Sequence, residues 1–238
     1  GRTLHDHHPY GWLTVAEIIA KSSNIGAAKI GHQLLGKDRL YRYVKLFGFG
    51  EKTGIELPGE DAGRVRPFES WSYYTTTSVP MGHEILATPL QLVRGFSAIA
   101  NGGYLVTPYI VRKITDDRGR TIQETERMVP RRVIGEETAR TVREMLVEVL
   151  ESGTATKAKI KGLKYCGKTG TTKKYDPETR SYSSARHTST FVAFAPSEDA
   201  RMCVAVVVDE PRGAYYGGTV AAPVAAKIIG QGLLAIME

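Results

Sequence analysis

Two short polar runs, far apart in the chain, have side chains suited to binding a negatively charged ligand. The first is Lys168-Thr169-Gly170-Thr171. Because side chains alternate between the faces of a strand, Thr169 and Thr171 should share one face, and Lys168 must reach the same place on its long stem. Gly170 leaves the backbone bare, so a ligand can approach it closely. Two hydroxyls and an ammonium there predict a carboxylate site, and the Thr171 N–H could contribute to an oxyanion hole.

The second run is Ser22-Ser23-Asn24. It interrupts a segment with helical spacing. Serine and asparagine side chains compete for backbone hydrogen bonds, so the trio predicts a helix–loop–helix junction. Taken alone, it is fully explained as a capped helix break, just as Lys-Thr-Gly alone fits an exposed hairpin strand with a surface lysine. The two runs carry weight only together and in their context.

The hydrophobic pattern predicts one α+β domain over residues 1–238. Helical spacing occurs over 15–20, 25–35, 38–47, 88–101, 136–151 and 219–237. Thr14 with Glu17, and Thr88 with Gln91, have the spacing of capping boxes and predict helix starts. Extended apolar runs predict strands over 163–171, 188–195 and 202–209, and a separate hairpin from 109–115 and 121–124. The turn at 196–199 makes the last two main strands antiparallel neighbours. Helices first, then antiparallel strands, then a helix favour α+β over a βαβ repeat.

The net charge of +7 is concentrated around the lysine–threonine run. Nine lysines and arginines but only two acidic residues lie between Thr154 and Arg186, so the rest of the chain is balanced. A local positive field would gather anions such as peptide carboxylates, although residues 173–186 taken singly fit a solvated basic loop. Basic charge can also mark nucleic-acid binding, but no such motif accompanies it, so no nucleic-acid partner is predicted.

Other features exclude several classes of protein. No window approaches the roughly 18 uninterrupted apolar residues of a membrane span, and the N-terminus has no signal-peptide pattern. The two cysteines, Cys166 and Cys203, lie in strand-like apolar runs and are expected to be buried thiols rather than a disulfide. His5, Asp6, His7 and His8 are types that bind metals, but their spacing is not helical and no cysteine is near. We therefore predict that these residues form a loop near the substrate groove rather than a metal site, and we predict no cofactor.

Several runs, in order along nearly the whole chain, resemble the transpeptidase domain of class B, monofunctional penicillin-binding proteins. These runs are residues 13–26, 55–60, 87–103, 167–171, 191–196 and 204–209. The resemblance implies an antiparallel sheet flanked by helices, as in the β-lactamase-like fold, with the site between the sheet edge and the helices. It also implies D,D-transpeptidation of peptidoglycan stem peptides at the outer face of the bacterial cytoplasmic membrane. β-Lactam antibiotics and envelope division or elongation proteins would be the other partners.

The resemblance also implies roles for the catalytic side chains. By position, Ser22 would relay a proton at the leaving or entering amine. Asn24 would hydrogen-bond the acyl-amide of the donor peptide. Lys168 would supply positive charge to the proton relay and to the substrate carboxylate.

A second set of residues would bind the substrate. The resemblance implies that Thr169, Gly170 and Thr171 hold the carboxylate, and that the Thr171 N–H polarises the scissile carbonyl. His187 stands just before a predicted strand. We expect it near the rim of the site, as a candidate contact.

One element of the family's motif set is missing. The set includes a nucleophilic serine followed three residues later by a lysine, and no serine in this chain has a lysine at that offset. In the family this pair precedes Ser-x-Asn, so we expect it upstream of Gly1, with the missing N-terminal part of the same domain as a partner. The chain alone should then bind ligands without being acylated. A non-catalytic penicillin-recognising sensor or scaffold and a serine β-lactamase remain alternatives.

Overall fold

The structure is a computed structural model that describes residues 3–126 and 128–237. Its helices are α1 Val15–Lys21, α2 Asn24–Lys29, α3 Gly36–Leu46, α4 Tyr73–Ser78, α5 Pro89–Ala100, α6 Glu136–Glu151, α7 Gly217–Val220 and α8 Ala222–Met237. Its strands are β1 Arg64–Val65, β2 Ile85–Leu86, β3 Tyr104–Leu105, β4 Lys113–Thr115, β5 Thr121–Glu124, β6 Arg131–Arg132, β7 Cys166–Asp176, β8 Ser181–Ala195 and β9 Met202–Asp209. The predicted α+β class is confirmed.

The main sheet contains β7, β8 and β9, with β8 in the centre and antiparallel to both neighbours. The five consecutive residues from Phe191 to Ala195 are all buried, so both faces of β8 are covered. This burial explains why the sequence of β8 is continuously apolar there instead of alternating. Among the described strands, β7 forms one edge of this sheet, and this edge carries the lysine–threonine run.

Three helices bury the sheet. α6 packs on β7, and α5 and α8 both pack on β8 and β9. Val149 of α6, Ile229 of α8 and Phe191 and Phe194 of β8 are fully buried in one core cluster. Burying each large apolar side chain contributes about 1.5–3 kcal/mol. This core holds β7 rigidly against α6, and α6 also packs against α1, which leads to Ser22.

The helix ends follow the predicted caps. Thr14 and Thr88 each form a reciprocal capping box, with Glu17 and Gln91 respectively. The predicted helix over 25–35 is instead α2 followed by the π-helical turn Ile30–Leu35, which continues directly into α3. The predicted C-terminal helix over 219–237 is divided into α7 and α8 at Ala221.

The largest difference from the sequence-based expectation lies beyond Thr171. A basic loop was expected over 173–186, but β7 continues to Asp176 and β8 begins at Ser181, so these residues form a long hairpin. Across it the rings of Tyr175 and Tyr182 meet edge to face at 5.9 Å, and Arg186 pairs with Asp176 at 2.8 Å. Backbone pairing and these contacts stabilise strands where charge alone indicated a loop.

The two cysteines are both free. Cys166 is buried, and burial raises the pKa of its thiol to about 12. Cys203 is half-buried, and desolvation raises the pKa of its thiol to about 11. Neither thiol is ionised near neutral pH, so neither is a reactive nucleophile.

Two further findings concern the described part of the chain. No helix there has the length and apolarity needed to cross a membrane. In the same ranges, no three histidine, cysteine, aspartate or glutamate side chains are grouped closely enough to hold a metal ion.

Candidate active site

A cavity of about 780 Å³ lies between the junction of α1 and α2 and the exposed edge of β7. Six residues expected at the site line it, namely Ser22, Asn24, Lys168, Thr169, Gly170 and Thr171. Its other lining residues include His7, His8, Tyr10, Thr154, Tyr216 and Gly217. The two polar runs therefore share one cleft, although nearly 150 residues of chain separate them.

Ser22 lies in a backbone conformation that non-glycine residues rarely adopt. It ends α1 with φ 56° and ψ 44°, in the left-handed region, and its N–H bonds back to the helix. Ser23 then starts α2, and its Oγ accepts a hydrogen bond from the Gly26 N–H at 2.9 Å. A left-handed non-glycine residue costs on the order of 1 kcal/mol. Neighbouring contacts must therefore hold this turn in place.

Asp6 supplies those contacts. The Ser23 hydroxyl donates to Asp6 Oδ2 at 2.7 Å, and the Ile25 N–H donates to Asp6 Oδ1 at 3.0 Å. Asn24 Nδ2 donates to the backbone oxygen of His5 at 3.4 Å. Both oxygens of one carboxylate thus fasten the turn that presents Ser22 and Asn24 to the cavity.

Lys168 joins the two sides of the cavity. Its Nζ donates to Ser22 Oγ at 2.7 Å and to the Thr169 carbonyl oxygen at 3.1 Å. Lys168 is half-buried and lines the cavity. Burial disfavours its charged form and lowers the pKa of Lys168 to about 8 from 10.5. Near neutral pH this amine can therefore both hold and release a proton.

The hydroxyls of Thr169 and Thr171 each have a hydrogen-bond partner within the protein. Thr171 Oγ1 accepts a hydrogen bond from the Gly217 N–H at 3.0 Å. Thr169 Oγ1 lies 2.7 Å from Thr154 Oγ1. Gly217 fits only because it lacks a side chain, since an added Cβ would stand 2.5 Å from the carbonyl oxygens of Gly170 and Thr190. The hydroxyls are thereby fixed on the cavity wall.

His187 lies within β8 rather than just before a strand. It is buried, and its ring stacks on Tyr215 with centroids 4.1 Å apart and planes 12° from parallel. The neighbouring Tyr216 lines the cavity instead, and its ring lies 5.2 Å from that of His7. The imidazole packs on Tyr215 and does not line the cavity, and its expected contact at the rim stays a prediction.

Sequence reasoning missed three residues of the site. Asp6 was expected only in a loop near the substrate groove, without its contacts to the turn at Ser22, and Thr154 and Tyr216 were not predicted. Each acts through a partner that is distant along the chain: Ser23 for Asp6, Thr169 for Thr154 and His7 for Tyr216. Short-range patterns in the sequence contain no information about such pairs.

The fold and the cavity define a class of protein. Residues 3–230 match a family model described as "Penicillin binding protein transpeptidase domain". The match covers more than half of the chain, so the chain belongs to this family. The prediction of a penicillin-binding transpeptidase domain is confirmed. Its extent over residues 1–238 as one partial domain stays a prediction.

Particular relatives support this assignment. The chain is 37% identical over 226 residues to "Stage V sporulation protein D" of Bacillus subtilis, covering 94% of this chain and 34% of the relative. It is 33% identical over 232 residues to "Probable peptidoglycan D,D-transpeptidase PenA" of Neisseria gonorrhoeae, covering 97% and 38%. The chain therefore spans little more than a third of these curated relatives.

Solved structures give the same answer. The crystal structure of penicillin binding protein 3 from Mycobacterium tuberculosis complexed with aztreonam matches with a TM-score of 0.91 and 33% identity. The match covers 99% of this chain and 55% of that one. The transpeptidase domain of Burkholderia pseudomallei penicillin-binding protein 3 matches with a TM-score of 0.84 and 34% identity, covering 97% and 67%.

Proposed function

We propose that this chain forms the substrate-binding part of a peptidoglycan D,D-transpeptidase of the class B type. One observation carries the proposal: Lys168 Nζ lies 2.7 Å from Ser22 Oγ across a cavity that Thr169 and Thr171 also line. An amine, an alcohol and two further hydroxyls thus converge on one space. The relatives named as D,D-transpeptidases support the reaction class.

The substrate would be a stem peptide that ends in a free carboxylate. Thr169 and Thr171 would donate hydrogen bonds from their hydroxyls to this carboxylate, and the bare backbone of Gly170 would let the peptide lie against β7 as an added strand. Asn24 would hydrogen-bond an amide of the peptide from the opposite wall. β-Lactams, whose ring amide and carboxylate have a similar arrangement, would occupy the same place.

The chemical step needs a nucleophile, which we assign to a serine outside residues 1–238, because no serine of this chain is followed three residues later by lysine. Its oxygen bonds to the carbonyl carbon of the terminal peptide bond, the C–N bond breaks, and the serine proton passes to the leaving amine. Ser22 would carry this proton, with Lys168 as its donor and acceptor. The amine of a second stem peptide would then displace the serine oxygen and return the proton.

The relatives place the reaction in bacteria. We infer a location at the outer face of the cytoplasmic membrane, where peptidoglycan is assembled, and partners among the proteins of envelope division or elongation. The N-terminal part of the same domain would be a further partner, since it would bring the nucleophile to the cavity.

Acylation by penicillin tests the proposal. The natural gene product and a chain of residues 1–238 are each incubated with fluorescent penicillin and their intact masses measured. We expect a covalent penicillin adduct on the natural gene product and none on the chain of residues 1–238. An adduct on residues 1–238 would refute the assignment of the nucleophile. Reversible binding of penicillin without any adduct on the natural gene product would favour a sensor. Rapid hydrolysis of a chromogenic cephalosporin would favour a β-lactamase.

A pair of matched variants tests the role of Lys168 in the natural gene product. Lys168→Met should slow acylation by at least about 100-fold, because the proton relay loses its amine. Lys173→Met removes a lysine from the same strand, but Lys173 does not line the cavity and should leave the rate unchanged. Equal rates for Lys168→Met and the unaltered protein would sink the proposed mechanism.

A further inference from the structure

Both threonine hydroxyls on β7 have a polar group behind them. Thr171 Oγ1 accepts from the Gly217 N–H at 3.0 Å, so its own proton must point elsewhere. A hydroxyl has a single proton and two lone pairs. With one lone pair occupied from behind, the proton of Thr171 is free to serve an acceptor in the cavity. Thr169 would be equivalent if its partner, the Thr154 hydroxyl 2.7 Å away, were the donor.

Thr154 is held firmly enough to act as such a partner. It follows α6, and its N–H donates to the Ala20 carbonyl oxygen at 3.2 Å, two residues before Ser22. On its other side Gly218 packs so closely that an added Cβ would stand 2.0 Å from the Thr154 carbonyl oxygen. The residue therefore ties the end of α1 to the start of α7. Its hydroxyl is the part of the side chain that faces Thr169 and the cavity.

We propose that Thr154 is a positioning residue of the carboxylate subsite, whose hydroxyl donates to Thr169 so that the Thr169 proton points at the ligand. This inference rests on the proposed function, because it presumes a ligand carboxylate at Thr169 and Thr171. A carboxylate accepts hydrogen bonds and donates none, so it selects the proton arrangement in which both threonines donate to it. A hydroxyl that itself accepts a hydrogen bond is also a stronger donor.

The opposite arrangement has a different consequence. If Thr169 donated to Thr154, the Thr169 oxygen would present only lone pairs to the cavity and would repel a carboxylate. Thr154 would then not orient the Thr169 proton. The two arrangements are separated by comparing ligands that differ only in the carboxylate.

The experiment measures reversible binding of N-acetyl-D-alanyl-D-alanine and of its C-terminal amide to the natural gene product by ligand-observed NMR titration. Three variants are compared with the unaltered protein. Thr154→Val removes the hydroxyl while keeping the shape and the backbone N–H, and Thr154→Ser restores the hydroxyl. Thr156→Val makes the same chemical change at an exposed residue of the following turn, Thr156–Ala158, which does not line the cavity.

We expect the unaltered protein to bind the free acid about tenfold more tightly than the amide, the effect of a hydrogen bond to a charged group. Thr154→Val should reduce that preference by about fivefold and leave the affinity for the amide unchanged. Thr154→Ser should restore the preference, and Thr156→Val should not alter it.

Each other outcome has a distinct meaning. If Thr154→Val weakens acid and amide equally, Thr154 has only a structural role and the inference is overturned. If Thr154→Val retains the full preference for the acid, the inference is again overturned while the carboxylate subsite stands. If the unaltered protein shows no preference for the acid, the carboxylate subsite itself fails, and the proposed function falls with the inference.

Discussion

The two walls of the cavity are built by different means. On one wall, the residues of β7 belong to a regular strand paired along its length with β8, and the ladder of backbone hydrogen bonds sets their positions. On the other, Ser22 lies in a left-handed turn between two short helices, which Asp6 holds through side-chain contacts. Backbone pairing tolerates most changes of side chain, whereas a turn held by one carboxylate depends on that residue. The geometry of the helical wall should therefore be the more sensitive to the removal of a single side chain.

A substitution that disturbs the packing of α7 on β7 should change the free energy of unfolding the most. In Gly217→Ala the added Cβ would stand 2.5 Å from two backbone oxygens, which cannot move independently of the sheet. We expect a loss of about 3 kcal/mol in the free energy of unfolding, from overpacking, measured by denaturant titration. Gly230→Ala, in α8 with nothing near its added Cβ, should instead gain roughly 0.5–1 kcal/mol. A neutral Gly217→Ala would mean that the sheet edge is softer than this comparison assumes.

Loss of the Asp6 carboxylate should be the next largest effect. Asp6→Ala leaves the Ile25 N–H and one bond of the buried Ser23 hydroxyl unsatisfied, which should cost about 2 kcal/mol in the free energy of unfolding. Asp117→Ala, at the exposed turn between β4 and β5, is the matched control and should change little. If Asp6→Ala keeps both stability and acylation by penicillin, the turn does not depend on Asp6 and the contrast between the walls disappears.

The buried amine of Lys168 predicts a pH dependence of stability. Its pKa is about 8 in the folded chain and close to 10.5 when unfolded, so between these values the unfolded chain binds more protons. The free energy of unfolding should therefore gain a rising contribution as pH increases from about 8 to 10.5. Lys168→Met should lack this rise, and Lys173→Met should retain it, in denaturant titrations across that range. Parallel curves for Lys168→Met and the unaltered protein would show that the amine is solvated.

A substitution in the outer half of the β7–β8 hairpin should change the free energy of unfolding the least. Asp176 pairs with Arg186 at 2.8 Å, but Arg186 is well exposed, with 42% of its side chain accessible. Asp176→Asn keeps an acceptor for the backbone N–H groups of the turn and should lower the free energy of unfolding by less than about 1 kcal/mol. Asp199→Asn, in another surface pair, provides the comparison. A loss above 2 kcal/mol would make this hairpin part of the rigid wall.

Much of the local structure could be predicted from the sequence. The capping boxes at Thr14 and Thr88 marked helix starts correctly, and the strand over 202–209 and the helix over 136–151 have the bounds that their patterns predicted. These features depend on residues within one or two turns of each other. The family was predictable as well, because the order and spacing of its motifs extend over nearly the whole chain.

The sequence alone thus determined most of the long helices, the cores of the three main strands, two helix caps, the family and the two runs that meet at the cavity. Only the tertiary structure decided that Asp6 holds the turn at Ser22, that the hydroxyls of Thr154 and Thr169 meet, that His187 stacks on Tyr215, and that the basic segment pairs as a hairpin. The physical reason is range. Helix caps and hydrophobic periodicity arise from neighbours along the chain. A hydrogen bond to a residue 15 or more positions away depends on how the core packs. The pKa of Lys168 likewise depends on what surrounds its side chain after folding.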